Sequence, residues 1–335
     1  MDKPLDPYTE TCYAGNTRRS LMRLIKKVLA MFLIICSIYY IWSQFDWAQI
    51  VVVLRNADLQ IFFVGSFITT LVFWALRALR WTLLLKTVHA WGGTFLHLYL
   101  CTACCLALSI ITPAQSGEAL KIEMLRKTSG LQRIEGYGCF AIERVLDLLC
   151  ILQIAIVALI FGIGRGLGLS LSLLAFSFVL LCVVIVVGAW LAMRVGPWEM
   201  PIQAMLGTFI RSPARLFLAW LLSMAGWLIV VVSWGLCLAS VGIWLTPIHL
   251  MFLTSAVTIL NLLSFVPGGI GVAEVSTVVA LSHFGLPDAE AQAGAIILRA
   301  CGVVIILCGV CHYAFWRIYM RRRQYNYRCR HKKLH

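Results

Sequence analysis

Acidic side chains are scarce in this chain: 14 Asp and Glu stand against 28 Lys and Arg in 335 residues. Charge of either sign is thin as well, at 13%, while 61% of residues are hydrophobic. A soluble domain carries about 25% charged and about 45–50% apolar residues. With a mean hydropathy of +0.90, the chain is therefore read as an integral membrane protein. No polar stretch is long enough for a large soluble catalytic domain beside the apolar runs. No Ser/His/Asp arrangement and no metal-ligand spacing appears, which counts against a hydrolase or a metalloenzyme, and no cofactor is implied. Gly162-Ile-Gly164-Arg-Gly166 lacks the strand–turn–helix setting of a phosphate loop and reads as a short outer turn. The apolar run 28–42 ends in Tyr, Ile and Trp without a small-residue cleavage site, so it reads as a retained signal anchor.

What is abundant is apolar sequence with basic flanks. Thirteen cysteines lie mostly inside apolar runs, where Cys packs as a small hydrophobe. The pairs Cys101-x-x-Cys104 and Cys308-x-x-Cys311 lack the partner residues of a zinc site. The net charge of +14 gathers at the ends: Arg18, Arg19, Arg23, Lys26 and Lys27 at one, and Arg317 through Lys333 at the other. Basic tails bind nucleic acid in some proteins, but beside apolar spans they mark the cytoplasmic side and favour anionic headgroups. Nucleic acid is not an expected partner. The organisation expected is a basic cytoplasmic segment at 1–27, a transmembrane domain at 28–316 and a basic cytoplasmic tail at 317–335.

The expected fold is an all-α polytopic bundle. Full crossings are placed at about 28–42, 59–76, 145–163, 169–193, 216–241 and 291–316, at roughly 17–25 residues each. Two further apolar runs, about 95–111 and 248–266, end in polar, glycine-rich interruptions: Thr112-Pro-Ala-Gln-Ser-Gly-Glu118 and Val266-Pro-Gly-Gly-Ile-Gly-Val-Ala-Glu274. Freed backbone groups survive in a bilayer only when packed in protein or lining a cavity. Paired interruptions in matching halves point to a transporter-type site at mid-membrane. If 95–111 crossed fully, Lys121, Arg126, Lys127 and Arg133 would lie outside, against the positive-inside tendency. Both runs are therefore expected to be re-entrant hairpins, giving six full crossings in an inverted repeat. The alternative is eight full crossings.

Ionisable groups inside the membrane usually face a cavity or a partner, since a charge at the bilayer centre costs at least about 2.5–3.5 kcal/mol. Glu118 and Lys121 follow the first break, and Glu274 follows the second. Glu143 and Asp147 share a helical face four residues apart, with Arg144 between them. Arg144 lies 27 residues beyond Gly117, and Arg299 lies 28 beyond Gly271. The functional reading places Arg144 and Arg299 on a phosphate, with the breaks at Pro113, Gly117, Pro267, Gly268, Gly269 and Gly271 turning backbone N–H groups and helix N-termini toward the same charge. Glu118 and Glu274 then hold the arginines or carry a coupling proton. A purely structural reading pairs Glu274 with Arg144 and Glu118 with Arg299. Asn261 either caps a broken helix or touches substrate. Arg77-Ala-Leu-Arg80-Trp81 reads as an interfacial anchor, and His89, His97, His249, His283 and His312 read as interfacial residues at span ends.

Arg77-x-x-Arg80-Trp81, Pro113-x-x-x-Gly117-Glu118, Glu143-Arg144-x-x-Asp147 and Pro267-Gly-Gly-Ile-Gly271-Val-x-Glu274 together resemble the lysylphosphatidylglycerol synthase transmembrane-region family, over roughly residues 25–318. The resemblance implies a lipid-translocating domain. In the bifunctional members a separate soluble portion makes the aminoacylated lipid. No such portion is present here, so lysyl transfer is not carried over and the chain is not expected to be an enzyme. Gln115-Ser116 and Lys121 depart from the family pattern and leave the substrate open. The function expected is a flippase-like transporter in a bacterial inner membrane, both termini cytoplasmic, acting on an anionic phospholipid or lipid-linked precursor. The alternatives are a membrane glycosyltransferase or accessory subunit using a lipid-phosphate sugar donor, with Glu274 or Asp147 as base, and a scaffold for a synthase. Association with a lipid-biosynthesis enzyme, and self-association, are left open.

Overall fold

The computed structural model describes residues 35, 39, 42–88, 93–163, 212–264 and 266–332. The span expected at 169–193, most of that at 28–42, the segment 1–27 and His89 lie outside the described residues. Within them every regular element is helical. The α-helices are α1 (Trp47–Arg55), α2 (Leu59–Val88), α3 (Phe95–Ser109), α4 (Leu120–Ser129), α5 (Arg133–Ala158), α6 (Pro213–Ala239), α7 (Pro247–Ser264), α8 (Val272–His283) and α9 (Asp288–Lys332). A π-helical turn, Leu159–Ile163, prolongs α5, and 3-10 turns occupy Pro113–Ala119 and Pro267–Gly269.

Local chemistry fixes where the helices begin and end. Asp46 accepts from the Gln49 N–H at 3.2 Å to start α1, and Thr94 accepts from the His97 N–H at 3.4 Å to start α3. Glu135 reaches back to the Gln132 N–H at 3.0 Å to start α5. These contacts satisfy donors that a first turn leaves free. Pro213 opens α6, where its missing N–H is no loss. Gly130, in the left-handed region at φ 72°, ends α4.

Among the described residues, five helical stretches are long and apolar enough to cross a membrane: Leu59–Val88, Arg133–Gly162, Pro213–Ala239, Pro247–Ser264 and Asp288–Arg322. Helix α3, with 15 residues, rises only about 22 Å at 1.5 Å per residue, short of a hydrocarbon core of about 30 Å. Two boundaries differ from expectation. Helix α2 runs twelve residues past 76, carrying Arg77 and Arg80 inward, because both guanidiniums find carboxylates there. Helix α5 begins at Arg133 rather than 145, so Glu143 and Arg144 lie well inside it. Helix α9 runs through position 317 without a break. The Gly162 turn is helical, and residues 164–166 lie outside the described set.

The apolar core falls into two main bodies. Trp81, Leu85, Leu98, Ile122, Leu125 and Cys139 pack α2, α3, α4 and α5 together. Phe62, Leu238, Leu253, Val257, Leu281 and Cys301 join α2, α6, α7, α8 and α9. The 3-10 turns sit between these bodies and touch each other. A Cβ added to Gly268 would stand 3.3 Å from the Ile110 carbonyl oxygen at the end of α3. Gly117 is equally confined: a Cβ there would lie 3.0 Å from the backbone of Leu108 and Ser109. The two sequence interruptions therefore meet, and glycine is what lets them.

Candidate functional site

Helix spacing builds the first half of the site. Arg77, Arg80 and Trp81, at i, i+3 and i+4 of α2, share a face, and so do Glu143 and Asp147 on α5. Arg77 Nη1 donates to Asp147 Oδ2 at 2.5 Å, and Arg80 Nη1 to Asp147 Oδ1 at 2.6 Å. Arg80 Nη2 donates to Glu143 Oε1. Trp81 Nε1 and Lys121 Nζ both donate to Glu143 Oε2, at 2.6 and 2.5 Å. Arg144 Nη2 bridges Glu118 Oε2 at 2.5 Å and Asp147 Oδ2 at 3.0 Å. Trp227 Nε1, from α6, donates to Asp147 Oδ1 at 3.3 Å.

Arg80, Lys121 and Glu143 are each 0% exposed. Such groups carry a desolvation penalty of several kcal/mol apiece, offset only when each is paired and hydrogen-bonded. Four cations, Arg77, Arg80, Lys121 and Arg144, face three carboxylates, Glu118, Glu143 and Asp147. Counted as ionised, the cluster keeps one positive charge in excess. Aromatic faces shelter it, with Lys121 Nζ 4.2 Å from the Trp81 ring centre and the Arg77 guanidinium 5.0 Å from Phe73.

The second half is smaller. Arg299 Nε donates to Glu274 Oε1 at 2.5 Å. Its Nη1 donates to the Gly268 carbonyl at 2.8 Å and its Nη2 to the Gly269 carbonyl at 3.3 Å. A guanidinium has five N–H donors, so two remain. Glu274 Oε2 accepts the Gly271 N–H at 2.8 Å and thereby caps α8. Gly268, Gly269 and Gly271 all have positive φ, at 65°, 61° and 86°, which only glycine adopts without strain. That conformation presents the two carbonyls to Arg299.

A cavity of about 530 Å³ lies where the breaks meet. Arg299, Glu274, Glu118, Arg77 and Asn261 line it, with Trp74, Trp227 and Trp234 among its aromatic walls. Its volume falls in the range of small-molecule sites.

The residues expected to share one site are partly assembled. Glu118, Asn261, Pro267, Gly268, Gly269, Glu274 and Arg299 line the cavity. Lys121, Glu143, Arg144 and Asp147 stand behind it in the charge cluster, and Gly271 caps α8. Arg144 reaches the cavity through its neighbours, donating to Glu118 and, at 3.4 Å, to Gln115 Oε1. The cross-pairs of the purely structural alternative, Glu274 with Arg144 and Glu118 with Arg299, do not form. Glu118 holds Arg144 and Glu274 holds Arg299, because each carboxylate follows its own break by a few residues and faces the next helix of its own half. Two of the break N–H groups are already used within the protein. Gly117 N–H goes to Thr112 Oγ1 at 2.8 Å, and the α8 terminus is closed by Glu274.

Arg77 and Arg80 are not interfacial anchors. At 4% and 0% exposure they are central to the network, and Arg77 reaches the cavity. The matching i, i+3 and i, i+4 ladders of α2 and α5 carried that signal. His97 is buried rather than interfacial, its Nε2 lying 2.8 Å from Thr128 Oγ1. His312 is half-buried and stands edge-on to Trp74, ring centres 4.9 Å apart, with Nε2 3.2 Å from the Tyr99 hydroxyl, where α9 packs on α3.

Helices of this length, a buried charge network and a cavity at two helix breaks define a multi-pass helical membrane protein. The chain belongs to the family described as the lysylphosphatidylglycerol synthase TM region, whose sequence profile matches residues 27–309. No curated protein matches the chain.

Proposed function

We propose that the protein is a flippase-like transporter that moves an anionic, phosphate-bearing lipid or lipid-linked precursor between the leaflets of a bacterial inner membrane. The observation that carries this reading is the state of Arg299. Glu274 and two break carbonyls hold its guanidinium, while two N–H donors have no partner among the described residues, beside a cavity of about 530 Å³. A planar fork with two spare donors matches a pair of phosphate oxygens. The excess positive charge of the adjoining cluster adds attraction, and buried charge is weakly screened. Tails stay in lipid while the headgroup enters.

The hairpins are read as re-entrant halves of an inverted repeat, with both basic termini cytoplasmic. The matched offsets support this: Arg144 follows its carboxylate by 26 residues and Arg299 follows its own by 25. Alternating access around a fixed midplane site is the recurring use of such repeats. Glycosyl transfer draws less support, because the carboxylates suggested as its base, Glu274 and Asp147, already accept from arginines.

The test is headgroup translocation in proteoliposomes with fluorescent anionic phospholipid. Wild type is expected to move it faster than protein-free vesicles, and Arg299→Ala, shown folded by its thermal transition, to lose most of that rate. Equal rates for the two proteins overturn the proposal.

A further inference from the structure

The cavity at the two breaks has one side that the described residues leave open. Of those that line it, Ile111 and Val303 alone are exposed, at 53% and 51%; the others are buried or half-buried. Ile111 follows the end of α3, and Val303 lies in α9. The mouth of the cavity is therefore the gap between these two helices.

The gap is a wedge. At its narrow end a Cβ on Gly309 would sit 2.0 Å from the Ala107 Cβ, so nothing passes between the helices there. Two turns earlier in α9, a Cβ on Gly302 would meet only Ile110 Cγ2, at 3.9 Å, and no backbone of α3. The helices thus part toward the first break. Ile110, Ile111, Val303 and Ile306 form an aliphatic rim, which excludes ions and suits hydrocarbon. The rim lies within the apolar stretch Asp288–Arg322. On α9 the exposed residues Val303, Leu307 and Val310 follow one another at helical spacing down one face. That face leads to the site: Arg299 stands one turn before Val303, about 6 Å along the helix axis.

From this geometry we infer that the gap between α3 and α9, at Ile111, Gly302 and Val303, is a lateral passage holding the hydrocarbon chains of the substrate while its charged group sits at Arg299. The inference rests on the anionic lipid proposed above and adds the place of its tails. Gly302 keeps the passage open, because any side chain there would fill the space in front of Ile110. Chains lying in this gap stay in contact with the bilayer as the charged group moves, so no apolar surface has to enter water.

The experiment reconstitutes the full chain with an anionic phospholipid bearing a photoreactive diazirine on an acyl chain, and locates the labelled residues by mass spectrometry. Labelling at Ile111 and Val303 is expected to exceed severalfold that at Val310, which is 61% exposed on the same helix. Equal labelling of the three overturns the passage, since it marks a surface merely bathed in lipid. Mouth labelling as strong from phosphatidylcholine as from the anionic lipid leaves the passage in place and overturns the anionic reading. Gly302→Leu supplies the second arm. Leucine favours a helix over glycine and here meets no α3 backbone, so the unfolding temperature should hold or rise while movement of fluorescent anionic lipid slows about tenfold. An unchanged rate in the folded variant overturns the passage. Wild type that is labelled at the mouth but moves no lipid overturns the transport reading alone. Should Gly302→Leu fail to fold, the labelling of wild type still decides.

Discussion

Glu274 ties Arg299 to the start of its own helix: one carboxylate oxygen takes Arg299 Nε at 2.5 Å, and the other takes the Gly271 N–H at 2.8 Å. The geometry of the second break and the placement of the guanidinium are therefore one unit. Glu118 does the corresponding work for Arg144 in the other half, without a cap. Each half thus fixes its arginine from within, and the halves meet through backbone at Gly268 and Ile110.

This coupling is measurable. Glu274→Ala and Arg299→Ala together are expected to cost less stability than the sum of the single changes, with an interaction of about 1–3 kcal/mol, as for residues in one charged network. Glu274→Gln should retain the cap at Gly271 and lose the negative charge that faces Arg299, falling between Glu274→Ala and wild type. Thermal unfolding of wild type and the four variants in detergent checks this; additive losses would show that Arg299 is held by the Gly268 and Gly269 carbonyls alone.

The charge cluster predicts the largest stability effect in the molecule. Glu143 accepts from Arg80, Trp81 and Lys121 and is 0% exposed. Glu143→Leu takes a carboxylate partner from two buried cations, leaving Arg80 to Asp147 and Lys121 to Glu118 at 3.6 Å, and removing one partner of a buried pair costs about 3–5 kcal/mol. The variant is expected to unfold at a lower temperature or fail to accumulate in the membrane. Arg133→Leu, which removes a 63% exposed side chain, should change little, as surface pairs contribute about 0–1 kcal/mol. Similar losses for the two variants would contradict the burial of the cluster.

Much of this architecture was legible because it is written in short-range chemistry. Proline and glycine in two apolar runs marked both breaks, and isolated acids and arginines marked the groups near them. What misled was the rule that a charge ends an apolar span. Arg77 and Arg80 look like the end of a helix, and only partners 63 to 70 residues away let that helix continue. The pairing of Glu118 with Arg144 rather than Arg299 was hidden for the same reason. Pairing within a half and pairing across halves are equally consistent with sequence offsets, and tertiary packing decides between them.

The corner between α4 and α5 carries the pH dependence. Glu123 bonds Arg133 Nε at 2.8 Å and Arg126 Nε at 2.9 Å, and these guanidiniums hold its carboxyl below the usual carboxylate range. A depressed acid stabilises the fold above its unfolded value, about 4.3 for glutamate, and that stabilisation fades as pH falls through the depressed folded value. Hydrogen exchange in residues 120–133 should be flat in relative protection from pH 8 to about 5 and loosen only below about 4. Glu123→Gln should loosen the same corner at pH 7. Loosening of wild type near pH 6 would assign the effect to another group.

Helix α9 reaches α3 at a point with no spare volume. A Cβ placed on Gly309 would sit 2.0 Å from the Ala107 Cβ, so the helices touch backbone to methyl, the small-residue contact common in membranes. The contact matters to the site because α3 leads into the first break while α9 carries Arg299 ten residues before Gly309. Gly309→Ala is expected to push the two helices apart, at an overpacking cost of about 1–3 kcal/mol, and to slow lipid movement by displacing Arg299 from the first break. The displacing atom is known, so the rescue is specific: Ala107→Gly in the same chain removes the opposing methyl and should restore most of both stability and rate. Ala107→Gly alone should lose only the small cost of a helical glycine, about 1 kcal/mol. A double variant no better than Gly309→Ala would mean that the methyl pair does not set the α3–α9 distance, and that Arg299 owes its place to the Glu274 unit alone.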